Sequence, residues 1–318
     1  MYIRNTSCIL ILVFLATFAR ANDYSLELVS AGPSRGFNFP YLIRVPKADL
    51  AEEVLLIVES NNTGVSNDFS EQIESTKALA TSNGLGPSIA SALNSPLLIP
   101  VFPRTEREWQ TYTHALDRDT ILISDGPLER LDDQLLAMVD DAKIRLSDKG
   151  IAAHDRFLIC GFSASGTFSN RFAFLHPESL AGVVSGAVNG IPMLPVDSIS
   201  DTQLIYPIGV GDMEALTGEG FNRSVWKELP QLIFMGALDE NDATLFDDGY
   251  SETERNLVHQ LVGKKMMPNR WMTAQSIYMQ EGANVTFITY GNLGHGTDVR
   301  VRRDLINFTK SVVHDMTR

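Results

Sequence analysis

The sequence predicts an α/β fold in which a mostly parallel sheet is covered by helices on both faces. Short apolar segments with strand-like composition alternate along the chain with longer segments whose apolar residues recur at helical spacing. Several of the short segments are apolar throughout, which is typical of strands buried on both faces. Because parallel neighbours need crossover connections, this alternation indicates one sheet with helices on either side.

The first 21 residues are interpreted as a secretory signal peptide. Arg4 gives a positive n-region, residues 8–18 are apolar, and Ala19-Arg20-Ala21 offers a cleavage site after Ala21. The apolar stretch is shorter than the roughly 20 residues of a membrane span, so a retained anchor is the less favoured alternative. We therefore expect a secreted or periplasmic protein with no stable membrane span after cleavage. Cleavage leaves Cys160 as the single cysteine, which excludes an intramolecular disulfide.

Residues 22–318 are expected to form one domain, because no repeat, low-complexity tract or flexible linker divides them. The chain has a formal net charge of −13. A charge of this sign argues against nucleic acid and anionic membrane surfaces as partners.

The first half of the chain is predicted to begin the sheet with two antiparallel strands, which are followed by alternating strands and helices. Strands are predicted at residues 24–30, 37–45, 53–59 and 97–102, and helices at residues 69–82 and 87–93. A longer helix follows, in which one apolar stripe recurs at helical spacing: Leu128, Leu131, Leu135, Val139, Ala142 and Leu146.

The second half continues the alternation to the C-terminus. Strands are predicted at residues 157–160, 181–185 and 285–290 and in the apolar run 231–239, and helices at residues 167–175, 252–261 and 302–313. A stretch at 190–230 carries several prolines and glycines between two strands. Because long ordered connections in compact domains are usually functional, a partial lid is favoured here over an ordinary connection.

The most informative motif is Gly161-Phe162-Ser163-Ala164-Ser165-Gly166, which joins an apolar strand to a helix. A nucleophile at the tip of such a turn needs small neighbours, because its backbone is strained and the turn is tight. Ser165 stands where glycine is more usual, two residues after Ser163. The alternative interpretation of Ser163 is a helix N-cap.

Two further residues extend this pattern. Asp239 follows a strand in Gly236-Ala237-Leu238-Asp239, and His295 follows another strand between Gly294 and Gly296. Serine, acid and histidine in this order, each just past a strand, resemble the α/β-hydrolase superfamily from about Leu26 to the C-terminus. The resemblance is nearest to secreted esterases and polyester depolymerases. It implies an α/β-hydrolase fold and a serine hydrolase without cofactor or metal, with Ser163 as nucleophile, His295 as base and Asp239 as acid.

The residues leave rivals for two of these roles. His114 also follows a strand end and competes with His295 as the base. Asp242 and Glu240 compete with Asp239 as the acid. The surrounding acidic group suggests calcium as an alternative, which is disfavoured because the spacing and central glycine of a calcium loop are absent.

An oxyanion formed on Ser163 attack needs two backbone N–H donors. The resemblance implies that one belongs to Ala164 and the other to the loop after the 53–59 strand, where Asn61 and Asn62 are the candidates. The sequence thus predicts an exported serine hydrolase that cleaves small-molecule or polymeric carboxylic esters. A serine peptidase of the same fold and an inactive binding protein on this scaffold are the alternatives.

Overall fold

A computed structural model describes residues 23–47 and 49–316, so the predicted signal peptide lies outside the described residues. The described residues form twelve strands: β1 (Tyr24–Val29), β2 (Tyr41–Pro46), β3 (Glu53–Val54), β4 (Ile57–Glu59), β5 (Leu97–Pro100), β6 (Ala152–Ala153), β7 (Phe157–Phe162), β8 (Leu180–Gly186), β9 (Ser198–Ile199), β10 (Thr202–Gln203), β11 (Gln231–Gly236) and β12 (Val285–Tyr290). They also form ten α-helices: α1 (Phe69–Ala80), α2 (Leu85–Leu93), α3 (Arg118–Ile121), α4 (Leu131–Asp148), α5 (Ala164–Leu175), α6 (Met213–Thr217), α7 (Arg223–Glu228), α8 (Glu252–Leu261), α9 (Trp271–Gln280) and α10 (Val299–Met316). None of these helices has the length and apolar character to cross a membrane.

Eight strands form the main sheet, in the order β1-β2-β5-β4-β7-β8-β11-β12. Strand β2 runs antiparallel to β1 and β5, and every other neighbouring pair is parallel. The predicted mostly parallel sheet with an antiparallel entry is therefore confirmed. Because the carboxyl ends of the parallel strands share one edge, the loops after β4, β7, β11 and β12 lie along that edge.

Helices cover both faces of the sheet, as predicted. On one face, α4 and α5 bury an apolar layer that includes Leu131, Leu135, Met138, Phe168 and Phe172. On the other face, α2 and α10 bury a second layer that includes Leu85, Ile89, Val301, Leu305 and Val312. Each layer removes apolar side chains from water, which is the main stabilising contribution to such a fold.

The predicted strand 53–59 is two strands with different partners. Val54 in β3 pairs with Ala153 in a small separate sheet, whereas Ile57 in β4 pairs with both Leu97 and Leu158 of the main sheet. Residues 54–58 are all buried, so the apolar run is continuous through the change of partner. Hydrophobicity alone cannot reveal such a change, because it reports burial and not pairing.

The segment 190–230, predicted as a partial lid, holds the β9–β10 hairpin and the short helices α6 and α7. Its apolar residues Ile191, Leu194 and Leu204 are buried in a cluster with Tyr250 and with Val258 of α8. The segment is therefore packed against the helical layer, and its role as a lid stays a prediction.

Candidate active site

Ser163 lies between the end of β7 and the start of α5, with φ 63° and ψ −125°. A positive φ is uncommon for any residue with a side chain, and it costs on the order of 1–3 kcal/mol unless the surroundings enforce it. Here the Ser163 N–H donates to the Gly186 carbonyl on β8 at 2.9 Å, which holds the turn against the neighbouring strand. Strain of this kind is concentrated at functional sites.

The turn is tight enough to require glycine at positions 161 and 166, before and after the serine. A Cβ on Gly161 would lie 2.2 Å from the Ser165 carbonyl oxygen, and one on Gly166 would lie 2.1 Å from the Gly186 carbonyl oxygen. Ser165 is accommodated because its Oγ accepts from the Phe162 N–H and donates to the Phe162 carbonyl, both at 2.9 Å. The serine in the usual glycine place therefore braces the turn.

Parallel pairing of β11 and β12 brings the predicted acid and base loops together. Gly236 lies opposite Tyr290 at the ends of these strands, and each chain then enters its loop. A Cβ on Gly236 would lie 2.3 Å from the Gly294 carbonyl oxygen, so the loops touch through glycine. This close approach sets Asp239 beside His295.

Ser163, His295 and Asp239 form one hydrogen-bonded chain. His295 Nε2 is 3.0 Å from Ser163 Oγ, and His295 Nδ1 is 2.9 Å from Asp239 Oδ2. The Asp239 side chain is 1% exposed, whereas that of His295 is 30% exposed. With Nδ1–H donated to the carboxylate, Nε2 is left to accept the serine proton. The Phe162 ring, 4.9 Å from the imidazole between centroids, supports the histidine from one side.

Two of the three rival residues, His114 and Asp242, make other contacts. His114 is fully buried, with Nε2 2.9 Å from both the Phe102 carbonyl oxygen and Asn61 Nδ2. Burial lowers the pKa of His114 to about 4, so this imidazole is a neutral core group. Asp242 forms an ion pair with the fully buried Arg270 and does not take the place of Asp239 beside His295.

The other carboxylates of the acidic loop are exposed or held by arginines. Asp247 contacts Arg255 and Asp248 contacts Arg104, each at 2.6 Å, and Glu240 is exposed. These ion pairs tie the loop that carries Asp239 to two other parts of the chain.

Of the predicted oxyanion donors, Ala164 directly follows Ser163, and Asn62 contacts the backbone of the serine turn. Ala164 is the first residue of α5, where backbone N–H groups lack acceptors within the helix and the helix dipole favours negative charge. Asn61 uses its side chain to bind the Phe102 backbone, with Oδ1 accepting at 3.1 Å and Nδ2 donating at 2.9 Å. Asn62 is exposed, and its Nδ2 donates to the Phe162 carbonyl at 3.4 Å. Any contribution of Asn61 to an oxyanion must therefore come from its main chain.

Asn241 is a residue of this site that the sequence did not reveal. Its Nδ2 lies 3.1 Å from His295 Nε2 and 3.5 Å from Ser163 Oγ, and its backbone N–H donates to Asp239 Oδ1 at 3.0 Å. Asn241 thus contacts all three residues of the chain. Its only sequence signal is its place two residues after Asp239, which singles out no side-chain role.

No protein-family model matches the sequence, and comparison with curated proteins gives no match. Solved structures do resemble the chain. Poly(aspartic acid) hydrolase-1 from Sphingomonas sp. KT-1 superposes with a TM-score of 0.57 at 16% identity, over 91% of this chain and 98% of that chain. A protein of Thermus thermophilus gives 0.49 at 15% identity over 91% and 98%, and an S-formylglutathione hydrolase from Agrobacterium tumefaciens gives 0.48 at 13% over 92% and 93%. With the sheet order and the strand-to-helix turn at Ser163, the first of these likenesses identifies the chain as having the α/β-hydrolase fold.

Proposed function

We propose that the protein is an exported serine hydrolase that cleaves carboxylic esters through an acyl-enzyme on Ser163. The observation that carries this proposal is the hydrogen-bonded chain from Ser163 Oγ through His295 to Asp239, with distances of 3.0 and 2.9 Å. A free serine hydroxyl is a weak nucleophile and needs a base within about 2.6–3.2 Å. The strained turn at Ser163 adds support, since it presents Oγ toward the base.

In the proposed reaction, Ser163 Oγ attacks the ester carbonyl while His295 Nε2 takes the serine proton. Asp239 holds the Nδ1–H tautomer and stabilises the imidazolium without itself accepting the proton. The imidazolium then protonates the departing alcohol oxygen. Water attacks the acyl-enzyme in the second half, with His295 again as base, and releases the acid and the free serine.

The negative charge on the tetrahedral intermediate would be held by the backbone N–H of Ala164 and by one from the Asn61–Asn62 pair. The contact from Asn62 Nδ2 to the Phe162 carbonyl sets that loop beside the serine turn. Loss of one such donor costs about 2.7–4 kcal/mol of transition-state stabilisation.

Neutral esters fit this chain better than anionic polymers. Poly(aspartic acid), the polymer after which one structural neighbour is named, is a polyanion, whereas this chain carries a net charge of −13. Like charges slow the encounter of enzyme and substrate and weaken binding. We therefore propose small-molecule or polymeric esters without negative charge as the substrates.

The direct test is labelling of the purified protein with a fluorophosphonate, followed by assay on an ester panel of increasing chain length and on matched amides. We expect covalent attachment at Ser163 by peptide mass spectrometry and hydrolysis of esters in preference to amides. Absence of both labelling and hydrolysis would favour an inactive binding protein, and amide cleavage at comparable rates would favour a peptidase.

A second prediction concerns Asn241. Asn241→Asp would set a carboxylate beside His295 Nε2, which stabilises the imidazolium and keeps the base protonated up to a higher pH. We expect the acid limb of the kcat/KM profile to move to higher pH by about one unit. Asn269→Asp, which adds the same charge at an exposed position outside the site, is the matched control. An unmoved acid limb in Asn241→Asp would show that the amide does not face Nε2 in solution.

A further inference from the structure

A cleft of about 260 Å³ opens beside the serine turn. Its wall includes Phe162 and Ser165, which flank the nucleophile along the chain, and Gly296, which follows His295. Asn62 of the proposed oxyanion loop lines it as well. The cleft therefore adjoins the catalytic centre on the side of α1 and α2.

The wall of this cleft is mainly apolar. Leu79 of α1, Leu85 of α2 and the Phe162 ring supply side chains that favour an aliphatic chain over water. A purely apolar cleft would prefer a plain alkyl chain. This cleft differs because it also contains one deeply buried acidic side chain, Glu59.

Glu59 lies at the end of β4 and is 3% exposed. One of its oxygens, Oε2, accepts from the Gly86 N–H in the first turn of α2 at 3.1 Å. Burial raises the pKa of Glu59 to about 8, so at neutral pH the group is a protonated acid. Because Oε2 accepts from Gly86, the other oxygen is left to carry the proton, and a protonated carboxyl is a hydrogen-bond donor.

Among the described residues that line the cleft, none other than Glu59 is ionisable, so no fixed charge is present to bind a substrate ion. Cys160 lies opposite Glu59 on β7, and burial raises the pKa of that thiol well above its usual value, so it stays neutral. The α2 side contributes the Gly86 N–H and Leu85, and the α1 side contributes Leu79. The cleft thus combines a mainly apolar wall with a deeply buried neutral donor, the Glu59 carboxyl.

We propose that this cleft, the Glu59 subsite, binds an uncharged aliphatic portion of the ester that carries an oxygen acceptor several atoms from the scissile bond. The acceptor is an ether, hydroxyl or second ester oxygen, and it takes a hydrogen bond from the Glu59 carboxyl. This inference rests on the proposed esterase function and specifies its substrate class. The occupant comes from either the acyl or the alcohol side of the ester, since the same chemistry serves both.

The experiment compares isosteric pairs that differ by one oxygen. For the acyl side, p-nitrophenyl 4-methoxybutanoate is compared with p-nitrophenyl hexanoate. For the alcohol side, the acetate of 3-methoxypropanol is compared with the acetate of pentanol. We expect the oxygen-bearing member of at least one pair to have a kcat/KM about tenfold higher at pH 7 than its partner. This ratio corresponds to the net free energy of one additional hydrogen bond. A preference in the acyl pair assigns the subsite to the acyl group, and a preference in the alcohol pair assigns it to the alcohol.

Variants of Glu59 test the source of the preference. Glu59→Leu should reduce the ratio of the paired kcat/KM values to about one, whereas Glu59→Gln keeps a donor and should retain most of it. The ratio should also fall in the wild type as pH rises through about 8, because the carboxylate can no longer donate, and should stay constant in Glu59→Gln. Ionisation of His295 affects both members of a pair alike and cancels in the ratio. The pH series decides the question even where Glu59→Leu does not fold.

Equal rates within both pairs, or a preference that persists in Glu59→Leu, would overturn the subsite. The subsite would also be overturned if the p-nitrophenyl monoester of glutarate, whose acyl chain ends in a carboxylate, reacted faster than both p-nitrophenyl esters of the acyl pair. These outcomes differ from failure of the proposed function, in which no ester of the set is hydrolysed and Ser163 takes no label.

Discussion

Ser163→Ala is expected to abolish ester hydrolysis and leave the fold intact. Removal of Oγ eliminates the atom that would form the acyl-enzyme, and residual turnover could come only from binding and oxyanion stabilisation. Loss of the nucleophile in a linked serine, histidine and acid site costs roughly six orders of magnitude in kcat. The measurement is kcat on the best ester of the panel, with circular dichroism and thermal unfolding as the check on folding.

Ser165→Ala is the matched control for this variant. Ser165 lies two residues away, and its Oγ braces the turn through two 2.9 Å contacts with the Phe162 backbone. Its loss should loosen the turn and lower activity moderately, with the fluorophosphonate label still on Ser163. Undiminished hydrolysis by folded Ser163→Ala, or a label on Ser165, would reject Ser163 as the nucleophile.

Much of the fold is accessible from the sequence because the inner strands of the main sheet are buried on both faces and are therefore mainly apolar. The strand at Val285–Tyr290 and the helix at Glu252–Leu261 have the predicted bounds, since β-branched composition and a Ser251–Glu254 capping box mark them locally. Helix α9 has no counterpart among the predicted helices, although Trp271, Ala274 and Tyr278 are buried at helical spacing. Pro268 lies just before this helix and predicts an interruption of helical structure, which obscures the helical spacing of the residues that follow.

The candidate site likewise contains residues that the sequence predicts and residues that it does not. Ser163, Asp239 and His295 each follow a strand, so chain order and neighbouring glycines point to them. No sequence pattern indicates Asn241, because its side chain approaches His295 Nε2 only through the conformation of an irregular loop. Glu59 is equally hidden. Its place at the end of a strand is visible, but its burial against the α2 N-terminus depends on packing between distant segments.

His295→Ala is expected to be nearly as damaging as loss of Ser163, because the base and the nucleophile act as one unit. Without the imidazole, no group among the described residues is left to take the Oγ proton, since the remaining close contact of Oγ, from Asn241 Nδ2, is itself a donor. The double variant Ser163→Ala/His295→Ala should therefore lose little beyond either single change. Multiplicative losses in kcat would indicate that the two residues act independently and would contradict the proposed mechanism.

Asp239→Asn is expected to be severe but less complete, with kcat lowered by about four orders of magnitude. The amide preserves the shape of the carboxylate, but it cannot stabilise the imidazolium and favours the wrong tautomer at Nδ1, 2.9 Å away. Asp242→Asn is the matched control, since Asp242 belongs to the same loop but pairs with Arg270. It should reduce thermal stability, because Arg270 is left buried without its anionic partner, and should affect kcat far less. A reversal, with Asp242→Asn the more damaging to kcat in a folded protein, would move the acid role away from Asp239 while leaving Ser163 and His295 in place.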